Sequence, residues 1–354
     1  MAIAAHSSSA RRHDFDFLRV AAMFAVITIH CVMPITIILT PASSDWAIAE
    51  VIDSYMRWCV PVFVMISGAL LIRKSTYTQL GTYIHRRISR ILIPFIAWPI
   101  LYALWLLAFG KDVTWQVFWH GILSGQPVGG SQLYFLFIIT GLYILNPFIS
   151  LLVSNVSRRT FFYLSLAALA AASLWHTIAN TMPGLDETYS MFTWCLPFIG
   201  YFMLGHVLRD TWLTSRQALV ALIGFFLLGM TNAILTVGTR IDNDFFFQSY
   251  ISPTVIGLSI CAFLGGRALY GLLVVLLTGT VWHPRLQRAL ARLAAVSFGI
   301  YLVHLMILDT IVFCFALSQS SLTTALILFI VVPPLSYAIV SILLKIPGLR
   351  RLVV

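Results

Sequence analysis

Asp14-Phe15-Asp16-Phe17-Leu18-Arg19, running on through the apolar residues 20–29 to His30, reads as the start of a first membrane helix. An α-helix advances about 1.5 Å and turns about 100° per residue. The step from Arg19 to His30 therefore covers about 16 Å along the axis and only about 20° around it. Both side chains look out from one face, one near the helix start and the other well inside a bilayer. Ionisable groups at such depth are expensive to keep and mark pathways or active centres.

The composition around this stretch agrees with a membrane setting. The chain of 354 residues is 60% hydrophobic and 10% charged, with a mean hydropathy of +0.94. A soluble domain cannot hide that much apolar surface. Apolar runs long enough for a hydrocarbon core of about 30 Å fall at 15–39, 50–72, 91–109, 131–153, 161–180, 191–208, 217–237, 246–278, 293–317 and 322–344. The expected fold is therefore all-α and polytopic, about ten transmembrane helices in a single membrane domain over 1–354. The run at 246–278 is too long for one simple crossing and carries Gly265-Gly266-Arg267, which allows a kink, a protrusion or a re-entrant turn.

Charge follows the same frame. Of the 22 Lys and Arg, Lys111 and Arg240 fall in loops on one side and Arg57 and Arg267 inside apolar runs; all others lie on the opposite side. This is the positive-inside pattern, and it puts both termini in the cytoplasm. The net charge of +10 thus encodes topology and implies no nucleic-acid partner. Arg11 and Arg12 before an apolar run resemble a signal peptide, but the run is long and is read as an uncleaved crossing. The link 75–90, basic and partly amphipathic, is expected to form a helix lying at the membrane interface.

Several side chains stand out against the apolar background. His30 suits a general base for a hydroxyl, with Arg19 on its face. Arg86, Arg87 and Arg90 cluster in the basic link; Arg87 and Arg90, one turn apart, can close on one anionic group. Arg57 has Asp53 one turn earlier, so it reads either as half of an ion pair or as a substrate-facing cation. Ser67-Gly68 permits close helix packing. Gln132 and Tyr134 mark the outer mouth of one helix, as sugar contacts or as part of an aromatic belt. Tyr301 and His304 share a helix face, and Asp309 follows within two turns, a carboxylate in need of a partner. His176 and His206 are read as structural.

Other chemistries find no support. The five cysteines sit singly, without CxxC or Cys/His spacing, so no metal site is expected. There is no GxGxxG after a strand, no Walker loop, no HExxH and no GxSxG elbow.

The pair Arg19-x10-His30, the segment Val60-Pro61-Val62-Phe63-Val64-Met65-Ile66-Ser67-Gly68, the pair Arg87-x-x-Arg90, the stretch opening Leu133-Tyr134-Phe135, and Phe298-Gly299-Ile300-Tyr301-Leu302-Val303-His304 occur in order. Together they resemble the acyltransferase 3 family of membrane O-acyltransferases, over about residues 13–344. The resemblance implies transfer of an acyl group, usually acetyl, from cytoplasmic acyl-CoA to a sugar hydroxyl on the outer side. It implies His30 as the catalytic histidine with Arg19 its motif partner. Arg86, Arg87 and Arg90 would lie near the coenzyme A phosphates, while Arg57, Ser67, Gln132, Tyr134, Tyr301, His304 and Asp309 become candidates along the acceptor path. Two departures stand out. Gln132 occupies a position where related proteins often have histidine. The chain is also expected to work without the soluble SGNH-type domain some members carry.

The expected partners are acetyl-CoA as donor substrate, a surface polysaccharide or lipid-linked oligosaccharide as acceptor, and membrane lipids, with no permanently bound cofactor. The expected location is the inner (plasma) membrane. A transporter or flippase for a lipid-linked sugar is the rival reading.

Overall fold

Nine helices among the described residues are long and apolar enough to cross a membrane. The computed structural model describes residues 11–41, 43–73, 80–182, 189–240 and 245–353, with 80–90 described by backbone alone. In chain order the helices are α1 (His13–Ile38), α2 (Ser44–Met56), α3 (Cys59–Leu71), α4 (Leu80–Ala108), α5 (Trp115–Ser124), α6 (Tyr134–Asn155), α7 (Arg158–Thr181), α8 (Ile199–Leu208), α9 (Ser215–Arg240), α10 (Pro253–Leu277), α11 (Trp282–Cys314) and α12 (Leu322–Leu343). No strand occurs among the described residues.

Local sequence explains many of the helix starts. Ser43, Thr114, Ser157 and Ser252 each accept a hydrogen bond from a backbone N–H of the first turn that follows, the usual role of a hydroxyl N-cap. The crossing Ser44–Leu71 is interrupted after Met56, where Arg57 and Trp58 turn before α3 begins. Pro61 supplies the reason: it has no N–H to offer the Arg57 carbonyl, so the helical ladder lapses at that point.

Helix α1 is the hub, packing against α2, α3, α10, α11 and α12. The tenth expected crossing, 191–208, is shorter than the rest. A 3-10 turn, Leu196–Phe198, leads into α8, and the apolar helix Leu196–Leu208 rises only about 20 Å. It crosses beside α3 at backbone contact. A Cβ on Gly68 would stand 1.7 Å from the Phe202 carbonyl oxygen, and one on Gly205 would stand 1.9 Å from that of Met65. Only glycine fits either position.

Because α8 is short, its last carbonyls need donors that lipid cannot supply. Three arginines from three other segments provide them. Arg158 donates to the Val207 oxygen (2.9 Å), Arg267 to that of Leu208 (2.7 Å) and Arg12 to that of Arg209 (2.8 Å). Arg267 and Arg12 also share the buried carboxylate of Asp14, at 2.9 and 2.8 Å. Burial works against the charged form of nearby Asp210, but hydrogen bonds from Arg209 and Arg12 more than offset it and hold its pKa below the usual carboxylate value. This is the basic end of the molecule. Both described chain ends lie here: Arg11 donates to the Ala291 oxygen, and Val353 lines a cavity with Arg19.

The opposite end has its own buried polar cluster. Glu50, fully buried, accepts from Arg240 (3.0 Å) and from Gln248 (2.7 Å), and the Thr36 carbonyl accepts from Trp46 (3.2 Å) and Arg240 (3.4 Å). This ties α1, α2, α9 and the 3-10 turn Phe246–Gln248 together.

Two segments become defined. The helix expected in the link 75–90 is present from Leu80 onward and is continuous with the following crossing as the opening of α4, since 82–93 hold neither Gly nor Pro to break it. Residues 74–79 lie outside the described residues. The run 246–278 contains no re-entrant turn. Helix α10 begins at Pro253 and continues unbroken through Gly265-Gly266-Arg267, then extends past the start of α1, where Tyr270 packs on Phe17 and Leu290.

The α3–α8 contact generates a direct test. Gly205→Ala forces two backbones apart and is expected to lower stability by about 2 kcal/mol, the range for overpacking a tight core. Thermal unfolding of the purified protein reads it, and an unchanged midpoint would show that α3 and α8 separate at no cost.

Candidate active site

Arg19 and His30 open into different chambers, as their spacing along one face of α1 requires. Arg19 lines a cavity of about 330 Å³ at the basic end, with Ser67, Tyr143, Ser297 and Val353, and it has no hydrogen bond or ion pair among the described residues. His30 lines a second cavity of about 330 Å³ with Arg57, Ser131, Tyr134, Trp194 and Tyr250. It also lines a third, of about 550 Å³, with Pro34, Gly129, Asp309 and Gln319. His30, Met33, Gln126 and Ser131 border both of these outer cavities, so the imidazole stands where they adjoin.

A single described residue, Tyr301, lines both the Arg19 cavity and the His30–Arg57 cavity. Its ring lies 5.3 Å from that of Phe135 and 6.4 Å from that of Phe63, while Phe63 and Phe135 are 6.1 Å apart. Phe63 and Phe135 line the Arg19 cavity as well, so three aromatic rings cluster where the two chambers adjoin. Tyr301 is fixed there because its hydroxyl donates to the Gln132 carbonyl.

Gln132 itself is a correction. The sequence suggests an outer-mouth sugar contact, but the side chain is 1% exposed and lines none of these cavities. Its amide nitrogen donates to the Tyr102 hydroxyl, and Tyr102 in turn donates to the Leu302 oxygen at 2.9 Å. Gln132 is a cross-brace among α4, the 3-10 turn Ser131–Leu133 and α11.

His304 is fully buried, with its ring 5.2 Å from that of His30. Its Nδ1 lies 2.6 Å from the Tyr301 carbonyl oxygen, which can only accept, so Nδ1 carries the proton and Nε2 keeps a free lone pair. Nδ1 of His30 is buried without a partner. Nε2 of His30 is then the nitrogen left to face the cavities.

Arg57 is half of the ion pair its sequence position suggested, and it also lines a cavity. Its Nε donates to Asp53 Oδ2 at 2.9 Å, and the guanidinium lies 5.8 Å from the Tyr250 ring centre while facing the cavity. Tyr134 joins Trp194 (5.4 Å) and Tyr250 (6.3 Å) in an aromatic wall. Such a wall beside a cation and hydroxyls suits a polar ring compound. Asp309 lines the outermost cavity and has no ion pair among the described residues. Ser67, expected on the acceptor path, lies in the Arg19 cavity, its hydroxyl donating to the Phe63 oxygen (2.9 Å).

Arg86, Arg87 and Arg90 belong to the first turns of α4, but their side chains lie outside the described residues. Trp194, Tyr250 and Gln126 escaped the sequence reading. Nothing local marks them, since only tertiary packing brings their three loops to His30. No group of metal-ligating side chains occurs among the described residues.

A family model described as an acyltransferase domain, Acyl_transf_3, matches residues 12–341. The chain belongs to the acyltransferase 3 family. No curated protein and no solved structure matches it. In this membrane acyltransferase the candidate residues lie on α1, α3, α6 and α11 and the turns between them, with His30 where two cavities adjoin.

The Asp53–Arg57 pair can be tested in the acyltransferase without any substrate. Asp53→Ala leaves a buried guanidinium uncompensated and is expected to cost about 3 kcal/mol or more. The double variant Asp53→Ala/Arg57→Ala should recover part of that loss. A double-mutant cycle read by thermal unfolding checks the coupling, and strict additivity would argue against a buried pair.

Proposed function

We propose that this membrane acyltransferase moves an acyl group, most simply acetyl, from acyl-CoA at the basic end to a sugar hydroxyl presented at the opposite end. The observation carrying this reading is the serial arrangement of chambers. An arginine-lined cavity and a histidine-lined cavity meet at Tyr301, on the two sides of one aromatic boundary.

The chemistry follows from what each chamber offers. Coenzyme A phosphates are polar anions and belong at the arginine-rich end, which the positive-inside pattern supports as the cytoplasmic side; the membrane we propose is the plasma (inner) membrane. Arg86, Arg87 and Arg90 are the proposed phosphate contacts, since a guanidinium fork matches a phosphate. The pantetheine arm enters the Arg19 cavity, and displacement of the Tyr301 ring admits the thioester to the next chamber. There a sugar rests on Tyr134, Trp194 and Tyr250 with Arg57 as polar anchor. Tyr301, His304 and Asp309 complete the acceptor side.

His30 Nε2 takes the proton of the sugar hydroxyl as that oxygen attacks the thioester carbonyl. The carbon–sulfur bond breaks, the ester forms, and the coenzyme A thiolate leaves and collects a proton. The acceptor is a glycan of the cell envelope, as polysaccharide or lipid-linked precursor.

His30→Ala should insert and fold yet lose activity by about a thousandfold, within the range for a positioned general base. Transfer of labelled acetyl from acetyl-CoA to envelope glycan, measured on the purified protein, is the check; wild-type turnover would remove His30 from the mechanism. Replacing Arg87 and Arg90 together by Ala should weaken acetyl-CoA binding about tenfold or more. Isothermal calorimetry reads it, and an unchanged dissociation constant would leave those arginines as topology signals only.

A further inference from the structure

The largest arginine-lined hollow belongs to none of the chambers above. A cavity of about 750 Å³ lies at the basic end among α3, α6, α7 and α8, and it shares no lining residue with those around Arg19 and His30. Arg12, Arg73, Arg158, Arg209 and His206 line it, with Asp210 the one acid among the lining residues.

The charges do not balance. Asp14 is shared by Arg12 (2.8 Å) and Arg267 (2.9 Å), and Asp210 by Arg209 (2.8 Å) and Arg12 (3.2 Å). Arg158 reaches the Val207 oxygen (2.9 Å) and the Thr211 hydroxyl (3.3 Å), both uncharged acceptors. Arg73 has no hydrogen bond or ion pair among the described residues, and it lines the cavity. Two guanidinium charges are thus left facing one hollow without a carboxylate.

Other features point the same way. His206 lines the cavity as a further hydrogen-bonding group. The first turn of α7, capped by Ser157, adds the positive end of a helix beside Arg158. The remaining walls are apolar, including Ala69, Leu70, Val153 and Phe161. Guanidinium forks, a histidine and a helix N-terminus around one space match a phosphate group, which is doubly or singly charged and offers several acceptor oxygens.

We propose that this cavity is a phosphate-binding site separate from the acyl path. Its ligand is a phosphate ester, supplied either by the headgroup of an anionic phospholipid or by a soluble phosphate ester. Nothing in this assignment depends on acyl transfer.

The test uses full-length protein, native mass spectrometry and three probes: phosphatidylglycerol, inorganic phosphate and free coenzyme A, with phosphatidylcholine as the neutral lipid. Wild type should retain at least one anionic probe, and Arg73→Gln should bind it roughly tenfold more weakly. Arg158→Gln should do the same; since Arg158 also caps α8, Arg73→Gln decides if that variant fails to fold. Arg73-dependent retention of phosphatidylglycerol over phosphatidylcholine names a lipid headgroup as the source. Arg73-dependent binding of inorganic phosphate names a soluble ester, whereas Arg73-dependent binding of coenzyme A would join the cavity to the donor path and overturn its separateness. Equal binding of all three anions by wild type and Arg73→Gln overturns the proposal, and it would do so whether or not the protein transfers acetyl.

Discussion

Lipid donates and accepts no hydrogen bonds, so each polar group inside the crossing region has to find its partner in the protein. That constraint organises this fold most visibly at α8. The helix is too short to end in water on its own terms, and its closing carbonyls are taken by Arg158, Arg267 and Arg12 in succession. Those side chains come from α7, from α10 and from the residue preceding α1. Capping one short helix thereby gathers three others around it, and Asp14 locks two of the arginines in place. The glycines that let α8 lie against α3 belong to the same solution, because a helix held at its end must also fit along its length.

Buried ion pairs of this kind contribute little to net stability once desolvation is counted. Their effect is on register. Asp14–Arg267 fixes how far α10 slides along α1, and Glu50–Arg240 fixes α9 against α2 at the other end. Between these two locks, α1 can carry Arg19 and His30 at a constant depth, which apolar packing alone specifies weakly in a lipid environment. The chambers are a consequence of that fixed depth.

Features that depend on one helix were legible in the sequence. The shared face of Arg19 and His30 follows from helical geometry and the Asp53–Arg57 pair from one-turn spacing, whereas the break before α3 lay unread inside the apolar run 50–72. Features that depend on two or more segments were not. Gln132 reads as a mouth residue by position, yet Tyr102 from α4 and Tyr301 from α11 draw it inward. Arg267 reads as an isolated charge in an apolar run, because its partner Asp14 lies 253 residues away. Trp194 and Tyr250 look like ordinary apolar-run residues until folding sets them beside Tyr134. Even α8 follows this rule: the apolar run 191–208 reads as a full crossing, and neither its shortness nor the arginines that make it tolerable could be read.

The aromatic boundary at Tyr301 bears on how the reaction we propose would keep a thioester donor intact. A thioester exposed at once to a histidine and to outside water would lose its acyl group to hydrolysis. With Phe63, Phe135 and Tyr301 closed, His30 faces only the outer cavities and the Arg19 chamber stays separate. Tyr301 is held by one hydrogen bond to the Gln132 carbonyl, a backbone atom whose position is set by the same brace that joins α4 to α11. An acceptor seated on Tyr134, directly after that brace, would therefore press on the segment that holds the boundary shut. In the reaction we propose, opening coupled to acceptor binding would keep the thioester from water until the acceptor is seated.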